Sequence, residues 1–90
     1  MRLIPAPDVR SAGTDDGAML LDLSTGKFYG LNPTAAIVWR HIADGAAPEA
    51  VAEQLSGELG VARERLLSDV RSLMAVLHRH GVLVGEGATP

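Results

Sequence analysis

Residues 20–39, LLDLSTGKFYGLNPTAAIVW, constrain the chain more than any other stretch. They contain its single Phe, Tyr and Trp, at Phe28, Tyr29 and Trp39. Leu20 to Leu23 is apolar except for Asp22 and is bounded by turn residues, which predicts a strand. Ser24-Thr25-Gly26 is turn chemistry, with Gly26 free to take positive φ. Lys27 to Leu31 (KFYGL) is aromatic-rich and predicts the returning strand. Asn32-Pro33 then opens a helix. Asn32 can accept a hydrogen bond from a free amide as N-cap, and Pro33 at the first helical position lacks only an N–H that would be orphaned anyway.

The register of this hairpin follows from its loop. A three-residue loop Ser24-Thr25-Gly26, with Gly26 in a bulge, sets Leu23 opposite Lys27 and Leu21 opposite Tyr29. Leu21, Leu23, Tyr29 and Leu31 then share one face, and Asp22, Phe28 and Gly30 the other. A two-residue turn would mix the faces. Side chains alternate, so a shift of one residue inverts every assignment.

Ninety residues make one small domain, taken as residues 1–90 with its core at about 8–84, and 47% hydrophobic content is enough to fill a core. The absence of cysteine excludes disulfides, thiolate nucleophiles and cysteine metal sites, and fits a reducing interior. The net charge of −3 lacks the basic field expected of a nucleic-acid binder. No apolar run approaches the ~20 residues that span a bilayer, and MRLIPAP is too short in apolar residues for a signal peptide. These features predict a cytoplasmic protein without a membrane partner.

Before the hairpin, residues 1–8 carry Pro5 and Pro7 and are expected to run extended over the surface. Val9-Arg10-Ser11 predicts a short first strand, and Ala12 to Gly17 a turn, with Asp16-Gly17 at its tip. Three strands result, near 9–11, 18–23 and 27–31. They leave one face bare, which helices must cover. The first helix is predicted from Pro33 to about Ala43, with Ala36, Ile37 and Trp39 on its apolar side and Gly45 past its end. The second runs from Pro48 to Leu55 or Gly57, with Glu49 near the positive end of its dipole. The third and longest runs from Arg63 to His80. Leu66, Val70, Leu73 and Leu77 form one stripe; Leu67, Val70, Arg71 and Met74 form a second beside it, so the helix can both reach the core and line a groove. Gly81 stops it. Val82-Leu83-Val84 is a short β-like return, and residues 85–90 are expected to fray. The fold class is α+β, winged helix-turn-helix-like: a three-stranded antiparallel sheet followed by three helices.

LLDLSTGKFYGLNPTAAIVWRHIADG together with LLSDVRSLMAVLHRHGVLV resembles the PqqD family of leader-recognition domains for ribosomally made, modified peptides. The likeness covers roughly residues 8–84. Its anchors are Leu31-Asn32, Ala35 or Ala36, Trp39, Asp44-Gly45, Asp69-Val70, Leu77 and Gly81. The variant it resembles most is the stand-alone recognition protein of lasso-peptide biosynthesis. The resemblance implies that the leader of a precursor peptide adds to the third strand and lies against the third helix. It implies a separate transglutaminase-like cysteine leader peptidase as partner and, downstream, an ATP-using macrocyclase.

The residues themselves are compatible with that expectation. The third strand, Lys27, Phe28, Tyr29, Gly30 and Leu31, is a predicted sheet edge able to template another strand. Gly30 admits a close backbone approach. Phe28 is the better contact candidate, and Tyr29 fits the core as well as a ligand. Leu67, Val70 and Met74 offer an apolar wall, and the planar fork of Arg71 suits a leader carboxylate.

No residues demand catalysis or a cofactor. His78 and His80 are two apart and point to different sides of a helix, unlike a metal pair. Asp15-Asp16 suits a solvated turn, and Ser56 and Ser68 lack a defined base. The competing reading is a winged-helix DNA-binding protein, favoured by Arg63, Arg65, Arg71 and Arg79 on the third helix. Overall acidity opposes it, as does an apparent wing that precedes the helices.

Overall fold

The computed structural model describes residues 2–87. In chain order the elements are β1 (Leu3–Pro5), β2 (Val9–Thr14), β3 (Gly17–Asp22), β4 (Lys27–Leu31), α1 (Pro33–Ala43), α2 (Pro48–Leu59), α3 (Arg63–Arg79) and β5 (Leu83–Gly85). Strands β2, β3 and β4 form an antiparallel meander in that spatial order, while β1 and β5 pair in a separate two-stranded ribbon. The expected α+β arrangement of a three-stranded sheet followed by three helices is therefore present.

Each helix has a local cause. Asn32 Oδ1 accepts from the Ala35 amide at 2.8 Å, and Pro33 opens α1. Ala36, Val38, Trp39 and Ile42 of α1 are buried. Helix α2 runs through Gly57 to Leu59, beyond its expected end. Buried Val51, Ala52 and Leu55 hold it, and the stop comes at Gly60, whose φ of +68° needs no Cβ to be accommodated. In α3 the buried residues Leu66, Val70, Met74 and Leu77 are spaced four, four and three apart, one helical face. The core joins these side chains to Leu20 and Leu31 of the sheet and to Val82 and Leu83 near the chain's end.

Pairing in the β3–β4 hairpin differs from the expected register. Asp22 faces Lys27, Leu21 faces Phe28 and Leu20 faces Tyr29. The loop is the four residues Leu23–Gly26, because the Asp22 carbonyl accepts from both the Thr25 and the Gly26 amides. Leu20 is fully buried, whereas Leu23 is 52% exposed. Leu20, Asp22, Tyr29 and Leu31 point inward; Met19, Leu21, Phe28 and Gly30 point outward. Leu21 and Leu23 thus belong with neither Tyr29 nor the core. The cause is Asp22, only 5% exposed, whose Oδ1 accepts from the Ser24 amide at 2.9 Å and from the Ser24 hydroxyl at 2.6 Å. A buried carboxylate that caps its own turn is satisfied, so an inward Asp is stable here.

Three further differences lie N-terminal to that hairpin and at the chain's end. Strand β2 runs to Thr14, and the turn is Asp15-Asp16, one residue earlier than expected, with Gly17 opposite Thr14. A Cβ on Gly17 would overlap the Leu31 carbonyl oxygen, and φ there is +147°. Residues 3–5 are paired strand: Leu3 faces Gly85 and Pro5 faces Leu83. Pro5 ends its strand, where a missing N–H costs least. Glu86 forms part of a turn, and residues 88–90 of the expected frayed tail lie outside the described residues.

Gly17→Ala should lower stability by about 2 kcal/mol or more, since both the dihedral and the space are lost. Gly13→Ala, with nothing within 4 Å of its Cβ position, should stay within about 0.5 kcal/mol; urea denaturation compares them. Asp22 titrates below its ordinary value of 3.8, chiefly because of the Ser24 hydroxyl bond. Its contribution is therefore full above that value and lost as pH falls through the lowered one. The urea midpoint gap between wild type and Asp22→Asn should accordingly be wide at neutral pH and narrow in strong acid.

Candidate functional site

Among the described residues β4 is hydrogen-bonded to β3 alone, so its other side presents an open strand edge. Lys27, Phe28 and Gly30 are exposed along it, Tyr29 is half-buried and Leu31 is buried. The Tyr29 ring packs on His80 of the α3 C-cap, with centroids 5.3 Å apart. At the other end of β4, a cavity of about 230 Å³ is lined by Asn32, Thr34, Ala35 and Val38 on one side and Leu66, Asp69, Val70 and Leu73 on the other. Helix α3 therefore runs antiparallel to β4, meeting it at Tyr29 and His80, and we take the space between them, from the cavity beside Asp69 to His80, as the candidate groove.

Helical geometry decides which side chains of α3 line that groove. At 100° per residue, Asp69, Leu73, Val76 and His80 fall on one side of the buried Val70, and Leu67, Arg71, Met74 and His78 on the other. Val76 is 41% exposed and Leu73 half-buried, an apolar wall. The opposite flank looks toward α2. Met74, only 8% exposed, joins the core and borders a cavity of about 650 Å³ shared with Arg2, Leu3, Arg71, His78 and the loop 45–48. Leu67, half-buried, lies further along the same flank with Arg71 and Ala75.

The structure therefore divides the nine residues expected to contact a ligand. Lys27, Phe28, Tyr29, Gly30 and Leu31 lie together on the edge strand, with Val70 beneath the groove. Leu67, Arg71 and Met74 sit around the helix from it. Two stripes were visible in the periodicity of α3, but periodicity does not say which neighbour each stripe meets. Leu73 appeared in the stripe expected to be core, Asp69 only as an anchor of the family resemblance and His80 only as a rejected metal candidate, while Val76 gave no signal beyond its spacing.

The arginine fork is also engaged. Arg71 Nη2 donates to Glu49 Oε1 at 2.7 Å. Glu49 is held below the usual carboxylate range, first by its own backbone amide and then by Arg71. Arg2 donates to the Gly45 carbonyl at 2.6 Å and lies 3.4 Å from Glu86. Both cations beside the larger cavity thus already have acceptors. The arginines of α3 do not form a nucleic-acid stripe either: Arg63, Arg65, Arg71 and Arg79 scatter around the helix at 100° per residue. Among the described residues no three His, Asp or Glu side chains are grouped to hold a metal ion. No helix there is long and apolar enough to cross a membrane.

Residues 17–83 match the family model described as coenzyme PQQ synthesis protein D (PqqD). The chain belongs to the PqqD family. Two solved structures extend the likeness. A lasso peptide synthetase B1, complexed with the leader peptide, is 32% identical, with a TM-score of 0.86 over 94% of this chain and 100% of that one. TbiB1, in complex with the TbiA(beta) leader peptide, is 29% identical, with a TM-score of 0.82 over 96% and 98% of the two chains. No curated protein sequence matches the chain. The PqqD-like fold and the kinship to leader-binding proteins of lasso-peptide biosynthesis are thereby shown.

Met74→Ala should behave as a core truncation and lower stability by about 2–3 kcal/mol. Arg71→Ala, which breaks only an exposed ion pair, should cost less than about 1 kcal/mol. Chemical denaturation of both variants measures the difference.

Proposed function

We propose that this PqqD-family chain binds the leader segment of a ribosomal precursor peptide as an added strand on β4. It then presents that leader to a separate transglutaminase-like cysteine peptidase in lasso-peptide biosynthesis, before a macrocyclase acts. The observation that carries this reading is the free β4 edge beside an apolar flank of α3, in a fold shared along nearly its whole length with proteins solved with leader peptides. The chain acts without catalysis of its own, as a cytoplasmic adaptor needing no cofactor.

Strand addition divides the work of recognition. Backbone bonds along Lys27–Leu31 supply affinity for any extended peptide, and side-chain pockets supply choice. Alternate leader side chains point into the groove. They meet Leu73 and Val76 as the wall, Val70 as the floor and the small cavity beside Asn32 and Leu66 as a seat for one apolar anchor. Asp69 stands at the rim of that seat and favours a leader without a carboxylate there. Leu67, Arg71 and Met74 support the helix from behind.

The test is fluorescence-anisotropy titration with synthetic lasso-precursor leaders, beginning with the TbiA(beta) leader that the similar TbiB1 binds. Leu73→Glu and Val76→Glu should each weaken binding at least about tenfold, since a charge would enter an apolar contact. Leu67→Ala should leave it within about threefold. Amide exchange should slow along 27–31 on binding. Unchanged affinity in both glutamate variants would remove the groove from the reading, and cleavage of the precursor by this protein alone would remove the adaptor role.

A further inference from the structure

We propose that the cavity between β1, the loop 45–48 and the α2 flank of α3 is a second ligand site, and that it takes a small amphiphilic carboxylate: an apolar body with a single anionic head. The inference goes beyond the leader reading and does not depend on it, because the cavity lies around α3 from the β4 edge.

At about 650 Å³ the cavity falls within the roughly 300–1,000 Å³ of small-molecule pockets. Its walls are apolar: Leu3 of β1, Ala46 and Ala47 of the loop, Pro48 at the start of α2, and Met74 and Ala75 of α3. The space has a local cause. Three of these residues are alanines, and Gly45 beside them has no side chain, so loop and helix cannot fill the corner between them. Three basic groups, Arg2, Arg71 and His78, complete the lining. The chain holds eleven Asp and Glu against eight Lys and Arg. Among the described residues none of those acids borders this cavity. An acidic chain thus presents here an apolar hollow with a basic rim.

The hydrogen bonds of the rim select the ligand. Glu49, just outside the lining, is kept below its ordinary value first by its own amide and then by Arg71, so a carboxylate is already stabilised at this corner. Donors remain beyond that pair. Arg71 spends Nη2 on Glu49; Arg2 spends Nη2 on the Gly45 carbonyl and sets Nε 3.4 Å from Glu86. Nη1 of each guanidinium has no acceptor among the described residues. Nearby carbonyls, by contrast, are used: Gly45 accepts from Arg2 and Ala47 from the Val51 amide. An extended peptide would bring backbone N–H groups that find no acceptor there, at a cost. A second copy docked corner to corner would set one basic rim against another. A carboxylate brings acceptors alone and matches the planar fork of an arginine, while its apolar body covers the walls.

The experiment is a heteronuclear NMR titration of the isotope-labelled full chain. The probe is decanoate below its micelle concentration, with acetate and decanol as comparison arms. Decanoate should shift the amides of residues 3, 45–47 and 71–78 saturably. It should bind at least about tenfold more tightly than acetate, which lacks the body, and than decanol, which lacks the charge. Arg71→Gln removes a rim donor, and Ala75→Phe fills the mouth from an exposed helical position. Each should weaken decanoate at least about fivefold while melting close to wild type. Arg71→Gln breaks only an exposed ion pair, so it reports even where Ala75→Phe disturbs the helix. Equal binding of decanol and decanoate overturns the proposal, because the anion then has no seat. Shifts centred on residues 27–31 or on the outer sheet around Phe28 overturn it too, as does undiminished binding by the folded variants. Leader plays no part in this readout, so the two readings fail separately.

Discussion

The Asp22 carboxylate fixes the parity of the whole sheet. It caps a four-residue turn from inside the core, and its carbonyl closes the same turn from the backbone. With Asp22 inward, Leu20 must be inward as well, and Met19 and Leu21 must be outward. The β4 strand inherits the same alternation, which sends Tyr29 to His80 and Phe28 to solvent. A three-residue bulged loop would have inverted the β3 positions against β4, setting Leu21 and not Leu20 beside Tyr29. The division between the core face, the ligand edge and the open face thus rests on one short polar contact.

Most of the fold was legible because its signals are local. Asn32-Pro33 marks the start of α1, Gly81 follows the end of α3, and the spacing of Leu66, Val70 and Leu77 marks its buried face. The register was not legible, because it depends on whether an acidic residue finds donors inside the protein. Composition argues for Leu23 inward and Asp22 outward, and only the Ser24 amide and hydroxyl reverse that preference. The β1–β5 ribbon was hidden for a different reason. Its strands are three residues each and more than seventy residues apart in sequence, so neither carries enough pattern to announce the other.

The candidate site was legible in part. The edge strand follows from the order of hairpins, and an edge is a property of topology that sequence order conveys well. The helix wall follows from which of two adjacent apolar stripes meets which neighbour. That choice is made by packing: α2 takes the Met74 side through the loop 45–48 and Glu49, which leaves Leu73 and Val76 to the strand. In a chain with only three aromatic residues, two of them on β4, the strand carries much of the site's chemistry and the helix supplies shape.

The β1–β5 ribbon carries a practical consequence for handling the molecule. Arg2 and Glu86 touch, so the two ends of the described chain emerge side by side. They do so next to the cavity bordered by Leu3 and Met74, on the α2 flank of α3 and around the helix from the β4 groove. A tether, a dye or a second domain attached at this corner keeps clear of the edge strand. A short peptide can also bridge the ends, and new ones can be cut at the exposed Asp15-Asp16 tip, reordering the sequence without rearranging its packing.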